Sequence, residues 1–302
     1  MAMNRAQFRK ELQLGLNATF GLAYKEHPEE WKDIFDIETS QKAYEEDVLM
    51  VGFGAAQVKS EGGGIAYDSG YEGWVSRYHH FTIALAFAIT KEAEEDGLYG
   101  SLGKKYSRAL ARSMQYTKEI YGANVLNNGF SSSFVGGDGV ALFSTAHPLA
   151  GGGTFANKLS IDADLSETSL EDSLIAIDGF VDDRGIPIKA TAKKLIIPRQ
   201  LRYTAIRLME SMGRTGTPDN DINALKKDGA LPGGFAVNHY LTDPDQFTIK
   251  TDVTDGLKHF SRKSIERGLE GDFETDNMRY KARERYSFGW TDPRGAFASQ
   301  GA

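Results

Sequence analysis

Apolar residues recur at different periods along this chain, and the changes of period mark its elements. Phe8, Leu12, Leu16 and Phe20 stand four residues apart behind Asn4, which predicts an amphipathic helix with a capping residue at its start. The stretch "HPEEWKDIFDIETS" at 27–40 breaks it. From Val48 to Val58 and from Trp74 to Thr90 the chain is apolar, aromatic and β-branched, and "KSEGGGIAYDSGYEGW" at 59–74 separates the two runs. That pattern predicts a hairpin with a long glycine-loaded tip instead of a two-residue turn. Tyr106, Leu110, Met114, Thr117 and Tyr121 then return to helical spacing, with Lys105, Arg108, Arg112 and Lys118 off the stripe, predicting the longest helix of the chain and an end near Gly122.

Between 129 and 158 glycine and serine dominate and no period holds, so connecting loops with one short strand are expected. Thr168 and Glu171 have the spacing of a capping box ahead of Leu170, Leu174, Ile177 and Val181, a second helix. A short buried strand follows at 195–197, and Pro198 opens a helix with Leu201, Ala205 and Leu208 on one face. "DQFTIKTDV" (245–253) and "RYKARERYSFGW" (279–290) alternate with period two, as strands with one wet face do. No repeat is visible at periods of 20–50 residues.

Composition narrows the chemistry. The 302 residues are 40% hydrophobic and 25% charged, ordinary for a folded protein, and contain no cysteine, which removes disulfides, thiolate metal sites and thiol nucleophiles together. A net charge of −7 argues against sequence-independent nucleic-acid binding by the whole surface, which needs a concentrated excess of Lys and Arg. Charges at Arg5, Arg9, Lys10 and Glu11 interrupt what would have to be the apolar core of an export signal, and the apolar run "FTIALAFAIT" stops at ten residues, short of the ~18–20 a membrane span needs. The expectation is a chain that is neither exported nor inserted in a membrane.

Motifs for catalysis or ligand binding fail on spacing. "GLYGSLGKK" has its second glycine at Gly103, one place late for a phosphate loop, and Lys105 where the magnesium-holding hydroxyl belongs. "GGGIAYDSG" and "GGDG" lack the dinucleotide fingerprint. His79 and His80 are adjacent, so on a strand they face opposite ways, and His27, His147, His239 and His259 are scattered as surface or interface histidines; no metal or cofactor is expected. "DADLSETSLED" at 162–172 lacks the glycine and spacing of a calcium loop and reads as an acidic helix start. Ser144 and His147 in "STAHP" are the one pair a hydrolase could use, without elbow glycines or an orienting acid.

What remains is architectural, and here the residues carry a resemblance. "LFSTAHPLAGGGTFANKLS" (142–160), "SLEDSLIAIDGFVDDRGIPI", "KKLIIPRQLRYTAIRLMES" and "RYKARERYSFGWTDPRGAFAS" resemble, in order and spacing over about 140–302, the Mu-like major head subunit family of tailed phages. The upstream order of helix, hairpin and long helix is similar to the Hong Kong 97-type capsid fold. The resemblance implies an α+β fold: an N-terminal arm at 1–45, an extended E-loop hairpin at 46–90, a peripheral domain with its spine helix at 91–150, an axial domain at 151–245 and strands at 246–302 that return to the peripheral sheet. It also implies a structural role, hexamers and pentamers of this chain enclosing double-stranded DNA in a head assembled in the bacterial cytoplasm, with portal and decoration proteins as further partners.

On this reading Lys59, Tyr67, Tyr71 and Trp74 form the intersubunit tip of the hairpin, and Phe8, Leu12, Leu16 and Phe20 make the contacts of the arm. Arm and hairpin fill most of the residues before the long helix, so a separate scaffolding protein, or none, is expected. Some capsids of this fold cross-link a hairpin lysine to an asparagine of a neighbour; Lys59 lies near the tip, but neither partner nor catalytic acid can be matched, and cross-linking is not expected. His239 departs from the aromatic often found at its place in this family. An encapsulin-type compartment shell of the same fold and a small hydrolase using Ser144 and His147 are the alternatives.

Overall fold

The computed structural model describes residues 5–90, 99–213, 222–271 and 277–302. Helix α1 (Arg5–Tyr24) leads through a 3-10 turn (Glu30–Asp33) to strand β1 (Asp36–Thr39). Strands β2 (Tyr44–Val51), β3 (Tyr71–His79) and β4 (Phe81–Ile89) precede the long helix α2 (Tyr99–Asn127), 29 residues or about 43 Å at 1.5 Å per residue. Next come the two-residue strands β5 (His147–Pro148) and β6 (Thr154–Phe155), helix α3 (Glu167–Asp178), strand β7 (Ala192–Pro198), and helices α4 (Arg202–Glu210) and α5 (Ala224–Asp228). The chain ends with β8 (Phe235–Asn238), β9 (Phe247–Thr251), the long pair β10 (Leu257–Gly271) and β11 (Met278–Trp290), and β12 (Ala296–Ser299).

Two four-stranded sheets organise these elements, one in the order β1-β10-β11-β4 and one in the order β12-β9-β7-β8. In the first, β11 alternates as its sequence dictates: Met278, Tyr280, Ala282, Glu284 and Tyr286 are buried, while Arg279, Lys281 and Arg283 face out. Its covered face meets α1 and α2 in a core of Leu16, Phe20, Leu110, Met114 and Tyr280. In the second, β7 is an interior strand buried on both faces, with Leu195, Ile196 and Ile197 fully enclosed, and it packs with Leu170, Ile177, Phe247 and Phe297. A third cluster, Trp31, Ile34, Phe35, Leu126, Leu142 and Leu257, joins the two halves.

Several sequence expectations change here. The predicted second arm of the hairpin divides in two: β3 pairs with β2, but β4 leaves it and pairs with β11. The division falls at His80, whose buried ring nitrogens meet Ser287 Oγ (3.0 Å) and Ser40 Oγ (2.9 Å) and pin the chain to the body. Of the segment 246–302, β10 and β11 lie in the first sheet, whereas β9 and β12 pair with each other and, through β9, with β7 in the second. The cap of α3 is Ser166, with Ser166 and Ser169 side chains each accepting the other's backbone N–H; Thr168 and Glu171 lie within the helix. Along α2 the enclosed positions include Ser107, Leu110, Ala111, Met114 and Leu126, while Tyr106 and Tyr121 sit half-exposed against Phe87 and Phe81 of β4. Gly97 of the loop-like glycine motif lies outside the described residues, and from Tyr99 the motif is already helical.

Candidate assembly surface

The β2–β3 hairpin projects a connection, residues 52–70, that carries no strand or helix. The two strands pair from Tyr44↔His79 to Val51↔Tyr71, with a shift of register between Val48 and Met50. Gly73 sits at that irregularity, where an added Cβ would stand 2.9 Å from the Leu49 carbonyl oxygen, so the bulge requires glycine. Beyond the strands the apolar side chains have nothing to cover them: Val58 is fully exposed, Tyr67 96% and Ile65 70%. Lys59 is exposed beside Val58. Tyr71 and Trp74 stand lower, on β3; Trp74 is half-buried, and the Tyr71 ring lies 5.2 Å from the Arg184 guanidinium of the same chain. Of the four expected tip residues, Lys59 and Tyr67 therefore lie exposed in the connection, and Tyr71 and Trp74 lie on the stem.

The stem is fastened to the body at two levels. At the base, Lys258 is enclosed among Asp47, Asp255 (2.6 Å) and Glu38 (3.3 Å), and Thr291 Oγ1 donates to Asp47 while sharing a 2.7 Å hydrogen bond with Tyr78. Burial alone would lower the Lys258 pKa, but the hydrogen bonds and charges of Asp255 and Asp47 outweigh it and raise it. Midway, Gly137 approaches so closely that a Cβ would stand 2.7 Å from the Val75 carbonyl oxygen. Only glycine permits this contact between the 129–145 loop and β3.

The arm behaves differently from its expectation. Phe8 and Leu12 lie on α1, but their side chains fall outside the described residues. Leu16 and Phe20 are buried within their own subunit, against α2 and Tyr280, so they are not available to a neighbour. The opposite side of α1 leaves Leu14 69% and Leu22 77% exposed, and these are the residues that the spacing-four stripe missed. Both stand off the spacing-four stripe, so the period that marks the covered face of the helix also marks them as its uncovered one.

Below the arm, Glu119 of α2 accepts the backbone N–H groups of Glu30 (2.9 Å) and Trp31 (3.0 Å) and so fixes the turn after α1. Burial pushes its carboxyl up to about 7, against the lowering effect of those N–H groups. Beside it the enclosed ring of His259, 4.3 Å from Trp31, is pushed down to about 3 by burial and by the nearby Lys118 charge. His239 adds a second clip: its backbone N donates to Glu30, and its Nδ1 lies 2.6 Å from the same carboxylate.

The hydrolase pair does not assemble. His147 is fully buried, with Nδ1 2.6 Å from Asp138 and Nε2 3.1 Å from Asn157 Oδ1. The Asn157 amide in turn donates to the carbonyls of Leu142 and Pro293. Ser144 Oγ accepts from the Ala146 N–H. With both ring nitrogens engaged away from Ser144, the group holds loops together; His147 and His259, expected as scattered surface or interface histidines, are core residues, and His80 is buried as well. Among the described residues no group of three His, Asp or Glu is placed to hold a metal ion, and no helix is long and apolar enough to cross a membrane.

A helical arm, a projecting hairpin, a long helix under a four-stranded sheet and a second sheet with its own core together make the Hong Kong 97-type capsid fold. Solved structures share it: the capsid of Cyanophage P-SCSP1u is 10% identical with a TM-score of 0.58 over 90% of this chain and 88% of that one. The virus-like particle of Pyrococcus furiosus is 12% identical with a TM-score of 0.56 over 94% and 97%, and Mycobacterium phage Che8 is 14% identical with 0.52 over 89% of each chain. No curated protein matches the chain. The family model described as phage capsid protein matches residues 77–299, and the chain belongs to that family. It is a structural protein that assembles with itself into the shell of a virion.

Proposed function

We propose that this chain is the major head subunit of a Mu-like tailed phage, forming hexamers and pentamers around double-stranded DNA and performing no catalysis of its own. Residues 1–45 serve as the arm, 46–90 as the E-loop region, 91–150 as the peripheral domain with its spine helix and 151–245 as the axial domain, with 246–302 supplying strands to both sheets. The observation that carries the reading is the tip at 55–67, where Val58, Ile65 and Tyr67 are exposed on a stem fastened to the body at its base and middle. Apolar side chains presented this way gain free energy only against another molecule, about 1.5–3 kcal/mol for each one fully covered. Repeated around every subunit, such contacts give a closed shell its cooperativity. A separate scaffolding protein, a portal and decoration proteins are the partners this role calls for, with assembly in the host cytoplasm. The net charge of −7 suits a lumen that must take in and release DNA without gripping its phosphates.

Deleting residues 55–67, which spares both strands, should leave a folded subunit with unchanged circular dichroism and abolish shells in electron micrographs. Normal shells from the deletion, or a full-length chain that stays dispersed at high concentration with scaffolding protein present, contradict the reading. The fold is shared with the virus-like particle of Pyrococcus furiosus over nearly all of both chains, and an encapsulin-type compartment shell of the same fold is the second reading. Particle contents separate the two: nuclease-protected genome-length DNA marks a phage head, whereas enclosed protein marks a compartment.

A further inference from the structure

Above the stem's two fastenings, one side chain ties the far end of the hairpin to the body. Asp68 first closes the tip at its neck, its carboxylate accepting the N–H groups of Gly54 (2.7 Å) and Ser69 (2.8 Å). Arg184 then reaches this neck: its Nη2 donates to the Ser69 carbonyl at 2.8 Å and lies 3.6 Å from Asp68 Oδ1, with the guanidinium over the Tyr71 ring. The planar fork meets a carbonyl, a carboxylate and an aromatic face together, which a lysine ammonium does less well.

The turn that presents Arg184 is rigid. Asp182 Oδ1 accepts the N–H groups of Arg184 and Ile186, both at 2.8 Å, and the Asp182 N–H donates to the Ile186 carbonyl. Next to it Asp183 is buried against Arg294 (3.2 Å), whose Nε donates to the Val181 carbonyl, and the Asp183 carbonyl accepts from Gly151. Between this turn and the hairpin lies an open cleft of about 400 Å³, lined by Val48, Leu49 and Met50 on one side and Asp183, Ile188 and Arg294 on the other. Packing does not fix the hairpin across that gap.

We propose that Arg184 is a positioning residue for assembly, a strut from a rigid turn across the cleft that sets the angle at which the hairpin leaves the subunit. A neighbour meets the tip at the end of a lever, so a small change of angle at the neck becomes a larger displacement at residues 55–67. With the strut gone, the hairpin samples angles across the cleft, and contacts that must repeat around a closed shell lose their common geometry.

The absence of cysteine makes a direct test available. Spin labels on introduced cysteines, Glu72→Cys on β3 and Asp172→Cys on α3, report the hairpin-to-body distance by pulsed electron resonance. Labelled full-length chain is diluted with unlabelled chain so that pairs within one molecule dominate. A narrow distance distribution is expected with Arg184 present, a broad or shifted one in Arg184→Ala, and an intermediate one in Arg184→Lys. Thermal unfolding should change little, and Arg184→Ala particles should be fewer and of mixed size. If the alanine variant misfolds, the lysine variant carries the test alone. Unchanged distance distributions in both variants overturn the proposal; they leave the shell function standing, because the 55–67 deletion tests that separately.

Discussion

Strand β7 and the hairpin tip both carry apolar side chains, and the molecule uses them in opposite ways. Leu195, Ile196 and Ile197 of β7 have no exposed surface, whereas Val58 is wholly exposed and Tyr67 nearly so. The first set stabilises the subunit as it folds. On the proposed assembly role the second contributes only when a neighbour covers it, so subunit stability and shell stability would reside in different residues and separate substitutions should affect them. The largest effect follows directly. Phe247→Ala, emptying the core that encloses β7, should cost about 3–5 kcal/mol in denaturant unfolding of the subunit. Tyr67→Ala should change that quantity by less than about 0.5 kcal/mol and yet reduce the yield of particles. A tip substitution that destabilised the dispersed subunit as much as Phe247→Ala would erase the distinction.

The sequence made the two regions unequally legible for a physical reason. Alternation along "RYKARERYSF" identified β11 and its wet face because the period is a property of a single strand. "FTIALAFAI" has no such phase, so nothing local told it apart from a hairpin arm, and its partner in β11 lies almost two hundred residues away. Arg184 and Ser69 are 115 residues apart, and neither carries a local signature of the contact. The same holds for Asp138, His147 and Asn157, where three ordinary polar residues become one buried network only after the loops fold. What could be read was the excess of apolar residues on an extension; which of them the subunit keeps for itself, as it does Leu16 and Phe20, depends on tertiary packing.

A finer contrast lies inside the body, between Glu119 and His259, two enclosed groups whose titrations oppose each other. The folded-state pKa of Glu119, about 7, stands above its ordinary value of 4.5, so the folded subunit holds a proton that the unfolded chain has released. Its contribution to stability is fully present below about pH 4.5 and is lost as pH rises through about 7. His259, lowered from 6.5 to about 3, works the other way, costing stability as pH falls below about 6.5. Going down from about pH 8 to 6.5, the Glu119 contribution therefore acts first. The wild type should gain thermal stability over Glu119→Gln in that interval, the difference growing towards about 2–3 kcal/mol near pH 4.5. A constant difference between the two proteins across this range would show that the carboxyl is already charged when folded.

The smallest effect decides between two assignments of one helix start. Spacing alone pointed to Thr168 and Glu171, while the structure places the reciprocal bonds two residues earlier, between Ser166 and Ser169. Both pairs fit the same local rule, and the choice falls to Ser166 because its backbone is extended at φ −137°, leaving its hydroxyl free to accept the Ser169 N–H at 3.1 Å. Ser169 also donates its hydroxyl to the Asp164 carbonyl at 2.7 Å, which ties the cap to the incoming loop. Ser166→Ala should lower subunit stability by about 1 kcal/mol, and Thr168→Ala, inside the first turn, by no more than a few tenths. Because α3 packs on the core around β7, the loss should appear in subunit unfolding and leave the tip's part in the shell untouched. Equal losses from the two substitutions would return the cap to the position that the spacing first indicated.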